Sequence, residues 1–326
     1  MTAAPDLITI SVPTYRRPSQ LLHALHSCLV QDYRPLEIDI GDDSPSADSE
    51  ELVASLVPPA GISIRYQRHS PSLGQSGNVN SLFARARGSR IMLLHDDDVV
   101  APGAVTALAA AFEREPEIVA AYGFQDVIAE SGELDRAKSE ALNVRYARTA
   151  ALAGIRTDPV LCALRRQFPN DGYLVDAGLA RAVGYRPTSE VGESCDTDFS
   201  LRLALQSRGK AFYLLDRTTC RYRLNRSALS GSRNISWKFY DYLRSITELL
   251  TPSERAARDA LLSHIAVKAL TENAVRGRRI SALRILLSGH YPLSGKLGVP
   301  KLLYHLGVIA VPQIDKLRRR TREAIG

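Results

Sequence analysis

The sequence predicts an α/β protein: a doubly wound, mostly parallel sheet followed by a C-terminal helical region. Up to about residue 225, short apolar runs alternate with segments of helical period, which is how strand–helix–strand units of a parallel sheet read. From Trp237 onward the runs vanish and only helix-period apolar positions remain. The third observation is a sheet-edge signal. His95-Asp96-Asp97-Asp98 follows directly on Ile91-Met92-Leu93-Leu94. A strand ending in acids delivers charge to the carboxyl edge of a sheet, where open α/β folds bind ligands.

The elements follow in order. Leu7–Val12 is a buried strand, and Ser19 is placed to cap a helix with Leu21, Leu22, Leu25, Cys28 and Leu29 on one face. Leu36–Ile40 is the second strand, ending in Gly41-Asp42-Asp43-Ser44-Pro45, with a helix at Ser49–Leu56. Ile62–Tyr66 is the third, and Gly74-Gln75-Ser76-Gly77 opens a helix that Gly88 breaks. Arg90–Leu94 is the fourth, and Pro102 begins a helix to Arg114. After Glu117–Phe124 the pattern loosens, so Glu130–Arg156 reads as an inserted loop with partial helix. A helix at Ala177–Val183, an acidic loop at Glu190–Asp198 and a helix at Asp198–Ser207 precede strands at Ala211–Leu215 and Thr219–Leu224. Leu243, Ile246, Leu249 and Leu250 mark the first C-terminal helix, and Ser253 is placed to cap the next before Glu254. A boundary near Ser232 gives domains 1–232 and 233–326.

At 326 residues the chain supports one large domain with an appendage, or two domains. Cys28, Cys162, Cys195 and Cys220 lie at neither metal-ligand nor redox spacing, which suits a reducing cytoplasm. Met1–Pro5 lacks the basic start and apolar core of an export signal, and no window approaches the ~18 apolar residues of a membrane span. The net charge of +7 is concentrated late, in Lys316-Leu317-Arg318-Arg319-Arg320-Thr321-Arg322, just after the apolar stretch Leu302–Val311. That order suits peripheral docking on the anionic inner face of a membrane, and equally a packed helix with a solvated end. Nucleic acid is not an expected partner, because the basic residues are not interleaved with aromatics.

Several motifs fail. There is no Gly-x-Gly-x-x-Gly for a dinucleotide and no Gly-x-Ser-x-Gly elbow. Gly289–Lys296 has one residue too many for a phosphate loop, and Leu297 stands where a hydroxyl is needed. His23 and His26 read as a helix surface. What remains is three acidic groups on three separate strand or loop ends: Asp42-Asp43, Asp96-Asp97-Asp98, and Glu193 with Asp196 and Asp198. Carboxylates alone repel a polyphosphate, whereas Mg²⁺ or Mn²⁺ between them holds it, since these ions take carboxylate and phosphate oxygens together. An acidic turn ahead of a helix is the plainer explanation of any one group taken alone.

These segments resemble family 2 glycosyltransferases of GT-A fold over roughly residues 7–225. The resemblance lies in Ile8–Pro18, Asp42-Asp43-Ser44, Gly74–Gly88, Leu94–Asp98 with Pro102, and Cys195-Asp196-Thr197-Asp198 through Leu203. It implies transfer of one sugar from a nucleotide-diphospho-sugar to an acceptor hydroxyl, with inversion. Pro13, Tyr15, Arg17, Asp42, Asp43, Asn80 and Asp96 would line the donor, with Tyr15 against the base and Asp42 or Asp43 hydrogen-bonded to it. Asp97 and Asp98 would hold Mn²⁺ or Mg²⁺ against the diphosphate. Asp196 would be the general base, with Glu193 and Asp198 as competitors because Cys195 replaces the family's preceding acid. His95 also departs from the common pattern, matching a His-Asp-Asp-Asp variant that has an upstream Asn-x-Asn, here Asn78-Val79-Asn80. No Gln-x-x-Arg-Trp segment follows, against a processive synthase. The acceptor is left open among a lipid-linked glycan, a glycoside and a natural product. Two further classes stay open: a sugar-phosphate nucleotidyltransferase, whose first loop is normally glycine-rich, and a non-catalytic lipid-docking scaffold. Arg221 and Arg223 are expected either to steady phosphates or to solvate a strand edge.

Overall fold

The structure is a computed structural model describing residues 5–192, 194–224, 236–246, 250–292 and 298–311. It divides into two compact units, Met1–Pro187 with Asp196–Ala228, and Thr188–Cys195 with Leu229–Gly326. The expected boundary at Ser232 lies outside the described residues, and the short segment 188–195 groups with the second unit.

The first unit opens as alternating elements: β1 (Ile8–Thr14), α1 (Pro18–Leu29), β2 (Leu36–Asp42), α2 (Asp48–Ala54), β3 (Ile62–Arg68), α3 (Gly74–Arg85) and β4 (Arg90–Leu93). β5 (Val99–Val100), α4 (Ala104–Arg114), β6 (Ile118–Ile128), β7 (Leu134–Asp135), α5 (Arg136–Arg145), β8 (Gly154–Arg156) and α6 (Pro159–Leu164) follow. Then come β9 (Leu174–Asp176) and α7 (Ala177–Val183), with α9 (Cys195–Gln206) and β10 (Ala211–Arg223) after α8 (Thr188–Val191) of the second unit. The main path across the sheet is β3-β2-β1-β4-β9-β6-β10-β5, with β7 on β6 and β8 on β10. β1 is parallel to β2 and β4, β2 to β3, and β6 to β10. The mostly parallel, doubly wound expectation therefore holds.

Three features position the site. Because β4 crosses to the far side of β1 from β2 and β3, the chain reverses direction across the sheet between β1 and β4. In open sheets the carboxyl ends of strands at such a reversal are the standard ligand position. Next, β9 is antiparallel to both β4 and β6. Its amino end therefore meets the carboxyl ends of its neighbours and brings Asp171 to the same edge. Finally, the two expected late strands are one, β10, whose register on β6 shifts between Leu214 and Thr218 and again before Cys220. Gly123 makes that bend feasible, since a Cβ there would lie 2.3 Å from the Arg217 carbonyl oxygen.

Local corrections have simple causes. Pro18 starts α1 without Ser19 as cap, because proline is preorganised for a first helical turn. Asp196 and Asp198 lie in the first turn of α9, where acids suit the helix dipole, so the expected acidic loop is largely helical. α4 begins at Ala104, two residues after Pro102. The expected loop at 130–156 contains β7, α5 and β8.

The second unit holds α8, α10 (Ser236–Ser245), α11 (Pro252–Val275), α12 (Arg279–Leu286) and α13 (Gly298–Ala310), with no strand among its described residues. Thr251, rather than Ser253, caps α11, in a reciprocal box with Glu254. Phe239, Tyr240, Leu262, Leu270 and Ile285 form part of the buried apolar set of this unit.

Candidate functional site

The acidic loop after β4 is pinned from three sides. Asp96, nearly buried, accepts from the Thr14 hydroxyl at 2.7 Å, the Tyr15 amide at 3.4 Å and the Arg17 guanidinium at 3.3 Å. Arg17 also donates to Asp97 Oδ2 at 2.7 Å. Asp98 Oδ1 accepts from the Arg223 amide at 2.7 Å, and the His95 amide donates to Asp171 Oδ2 at 3.1 Å. Arg223 is itself buried, with its guanidinium spent on the carbonyls of Asp97, Ala129 and Glu130. It holds the loop. Nε of Arg221 is buried without a hydrogen-bond partner.

Crowding these acids costs ionisation. Burial, and then repulsion from Asp97, push Asp96 up to about 6 against the pull of Thr14 and Arg17. Burial followed by Asp171 and Asp97 drives Asp98 well above the usual carboxylate range. Asp98 Oδ2 is buried with no hydrogen-bond donor. Burial alone would lower His95, yet Asp171, Asp196, Asp97 and Asp96 outweigh it and raise the imidazole. His95 Nδ1 lies 3.9 Å from Asp98 Oδ2 and 3.9 Å from Asp171 Oδ2.

Ligand-capable atoms of His95, Asp97 and Asp98 lie within 4.8 Å of one another, as do those of Asp98, Asp171 and Cys220. Two carboxylates with an imidazole make a donor set that Mn²⁺ accepts, and the orphaned Asp98 oxygen is the atom a cation would satisfy. The second set is poorer, because burial holds the Cys220 thiol protonated.

Asp196 joins this cluster electrostatically through His95. Its Oδ1 accepts from the Tyr185 hydroxyl at 3.2 Å. Tyr185 is fixed by ring stacking on Phe199 at 4.7 Å and by Asn80, which accepts from its amide at 2.7 Å and donates to its carbonyl at 2.9 Å. Asp198, two residues along the helix, projects elsewhere. It is fully buried in ion pairs with Arg202 at 2.7 Å and Arg186 at 3.3 Å. Glu193 lies outside the described residues.

The first two loops meet the same edge. The Asp43 amide donates to the Thr14 carbonyl at 3.1 Å, and Pro13 is paired with Gly41 in the β1–β2 register. Asp42 is fully buried, taking the Ser44 amide at 2.7 Å and the Tyr66 hydroxyl at 2.7 Å. Asp43 takes the Ser72 hydroxyl at 3.0 Å and the Leu73 amide at 3.1 Å. Tyr15 is 45% exposed, with the Arg16 guanidinium 5.1 Å from its ring centre. Tyr15 is thus available to stack on a ligand, whereas Asp42 is committed to its own turn. Both ends of the Asn80 amide bind the Tyr185 backbone, so Asn80 braces that turn. Sequence reasoning missed Asp171 and Tyr185 altogether. Only the polar run Asn170-Asp171-Gly172 ahead of Tyr173-Leu174-Val175 hinted at the first.

A model of glycosyl transferase family 2 matches residues 9–171. An uncharacterized protein of Mycobacterium tuberculosis is 28% identical over 221 residues, covering 63% of this chain and 64% of that protein. A GalNAc(5)-diNAcBac-PP-undecaprenol beta-1,3-glucosyltransferase of Campylobacter jejuni is 31% identical over 101 residues, or 31% of this chain and 33% of that enzyme. The chain thus spans under two-thirds of the length of either. Among solved structures, S. aureus TarS 1-349 with UDP-GlcNAc superposes with a TM-score of 0.58 at 14% identity, covering 95% of this chain and 83% of that one. The mannosyltransferase PcManGT of Pyrobaculum calidifontis with GDP-Man and Mn²⁺ gives 0.56 at 13%, covering 95% and 89%. Both show the shared fold.

Proposed function

Because the chain belongs to glycosyl transferase family 2, we propose that it transfers a single sugar, with inversion, from a nucleotide-diphospho-sugar to an acceptor hydroxyl. The observation that carries this reading is the gathering of Asp96, Asp97, Asp98, Asp171 and Asp196 around His95 at the carboxyl edge of β4, with one Asp98 oxygen left without a partner. Asp97 and Asp98, with His95, are the residues that would hold Mn²⁺ or Mg²⁺, and such an ion would neutralise charge on the diphosphate. Tyr15 stacks on the nucleotide base beside Pro13 and Asp43, and Asp96 and Arg17 line the donor. Asp196 accepts the proton of the acceptor hydroxyl as its oxygen bonds to the anomeric carbon and the bond from that carbon to the diphosphate breaks. Asp198, neutralised by two arginines, is the poorer base. The four cysteines, all free and buried, suit the reducing cytoplasm.

A lipid-linked acceptor is favoured over a glycoside or natural product by the undecaprenol in the name of the Campylobacter relative. Thermal stabilisation by UDP, GDP or TDP with Mn²⁺, followed by turnover with the matching sugar nucleotide, tests the reading. Asp97→Asn should abolish metal-dependent nucleotide binding, and Asp196→Asn should abolish turnover while leaving binding. No stabilisation by any nucleotide with metal overturns the transferase reading in favour of a scaffold. Unchanged turnover in Asp196→Asn moves the base to Glu193 or Asp198.

A further inference from the structure

The last two described helices each carry an apolar stripe that is exposed. On α12, Ala282, Ile285 and Leu286 are buried, whereas Ile280, Leu283 and Leu287 are 70%, 39% and 83% exposed. That i, i+3, i+7 spacing makes one stripe along the helix. α13 repeats it: Val308 and Ile309 are buried, and Leu303, Leu306 and Ala310 are exposed at the same spacing. Exposed apolar side chains on soluble proteins are usually scattered singly, and contiguous stripes mark contact surfaces.

The charge around these stripes is one-sided. Between Glu272 and Asp315 the sequence has no Asp or Glu but contains Arg276, Arg278, Arg279, Arg284, Lys296 and Lys301. Arg276, Arg279 and Arg284 are exposed. Arg278 is partly consumed, with its guanidinium 3.6 Å from the centre of the Trp237 ring. Asp241 of α10 feels Arg278 and Arg284 and offsets part of the charge. An apolar stripe flanked by arginines and free of acids lies flat in a lipid interface, with the stripe among acyl chains and the cations at anionic headgroups. No helix among the described residues is long and apolar enough to cross a membrane, so the contact is one of docking.

We propose that the α12–α13 face docks on the surface of a bilayer containing anionic lipid. This rests on exposure and charge alone, so it can fail while the transferase reading stands. The test is co-sedimentation of the full chain with phosphatidylcholine vesicles and with phosphatidylglycerol-rich vesicles, at low and high salt. Wild type should sediment with the anionic vesicles only, and less at high salt. Ile280→Glu with Leu287→Glu should lose at least tenfold in vesicle affinity. Arg279→Gln with Arg284→Gln should lose roughly fivefold per charge, the factor for about 1 kcal/mol each. All four positions are exposed, so melting temperature and donor hydrolysis should not change. A variant with Lys316–Arg322 neutralised separates the tail from the helices. Failure of wild type to bind anionic vesicles overturns the proposal. So does loss of binding only in the tail variant, or self-association that the Ile280 and Leu287 substitutions abolish without any vesicle binding.

Discussion

Tyr185→Phe removes the hydroxyl that donates to the proposed base at 3.2 Å, together with its longer 3.4 Å contact with the Tyr173 hydroxyl. The phenylalanine keeps the ring against Phe199 and the backbone clamp from Asn80, and removes only the hydroxyl that donates to Asp196 Oδ1. Burial raises the Asp196 pKa above the usual carboxylate range, while His95 and the Tyr185 hydroxyl pull it down. Deleting a stabiliser of the carboxylate raises it further. A hydrogen bond to a charged group contributes about 1.5–3 kcal/mol, and one pKa unit corresponds to about 1.4 kcal/mol. Because Asp196 is not fully buried, water recovers part of that, and a shift of about one unit is expected. A general base works deprotonated, so activity is lost as pH falls through its pKa. The acid limb of the kcat profile should therefore move about one unit toward alkaline pH. Below the limb the variant should be roughly tenfold slower, and on the alkaline plateau the two enzymes should converge. A loss of equal size at every pH would make the hydroxyl a packing element. An unmoved limb would mean that Asp196 is not the group titrating in the rate.

Two further substitutions probe the scaffold. Asp98→Asn should stabilise the metal-free protein by about 1–3 kcal/mol at pH values where the wild-type carboxyl is ionised, since it removes a buried acceptor without a donor. The folded-state pKa of Asp98 is raised, so wild-type stability is fullest at low pH and declines as pH rises through that value. The variant should flatten this slope in chemical denaturation and lose the stabilisation that Mn²⁺ gives the wild type; an unchanged slope would show that Asp98 does not carry the strain. Gly172→Ala should cost roughly 2–5 kcal/mol in urea unfolding, from left-handed backbone strain plus overpacking. Gly172 has φ +68°, and a Cβ there would sit 2.3 Å from Cys220 Cβ.

The sequence was legible where a local pattern decides structure. Short apolar runs located β1 to β4 and β6: the inner strands β1, β4 and β6 are buried along most of their length, and the edge strand β3 alternates Ile62, Ile64 and Tyr66 with polar residues. It was opaque where tertiary pairing overrides the pattern. Leu174–Asp176 is too short to register as a strand, and only pairing with β4 and β6 makes it one. Acids at the carboxyl ends of parallel strands stand out in the pattern, whereas Asp171 precedes an antiparallel strand that leaves no such signal. The polar interruption Asp216-Arg217-Thr218 looked like a turn, but the bulged register accommodates it within β10. For Asn80, a polar side chain near the edge cannot be told from a backbone brace until its partner, 105 residues away, is in place.

The site's electrostatics explain why its acids are held by backbone amides. Asp96 takes the amide of Tyr15, Asp98 that of Arg223 and Asp171 that of His95, each from a different stretch of chain. Amides fixed in strands and tight turns cannot swing away, so the carboxylates stay close despite mutual repulsion. The resulting strain appears in the raised pKa values of Asp96 and Asp98, whose ionisation it opposes. Arg17 relieves only the solvent side of the cluster, through Asp96 and Asp97. A preorganised set of acids, which Arg17 and His95 only partly offset, carries much of its repulsion already in the folded protein, and a cation with its diphosphate would relieve it. Filling the space with a second arginine would stabilise the fold and remove the driving force for binding. His95 serves where another carboxylate would add to the repulsion: the surrounding acids raise its imidazole, and the nitrogen that ligates a metal must be free of its proton.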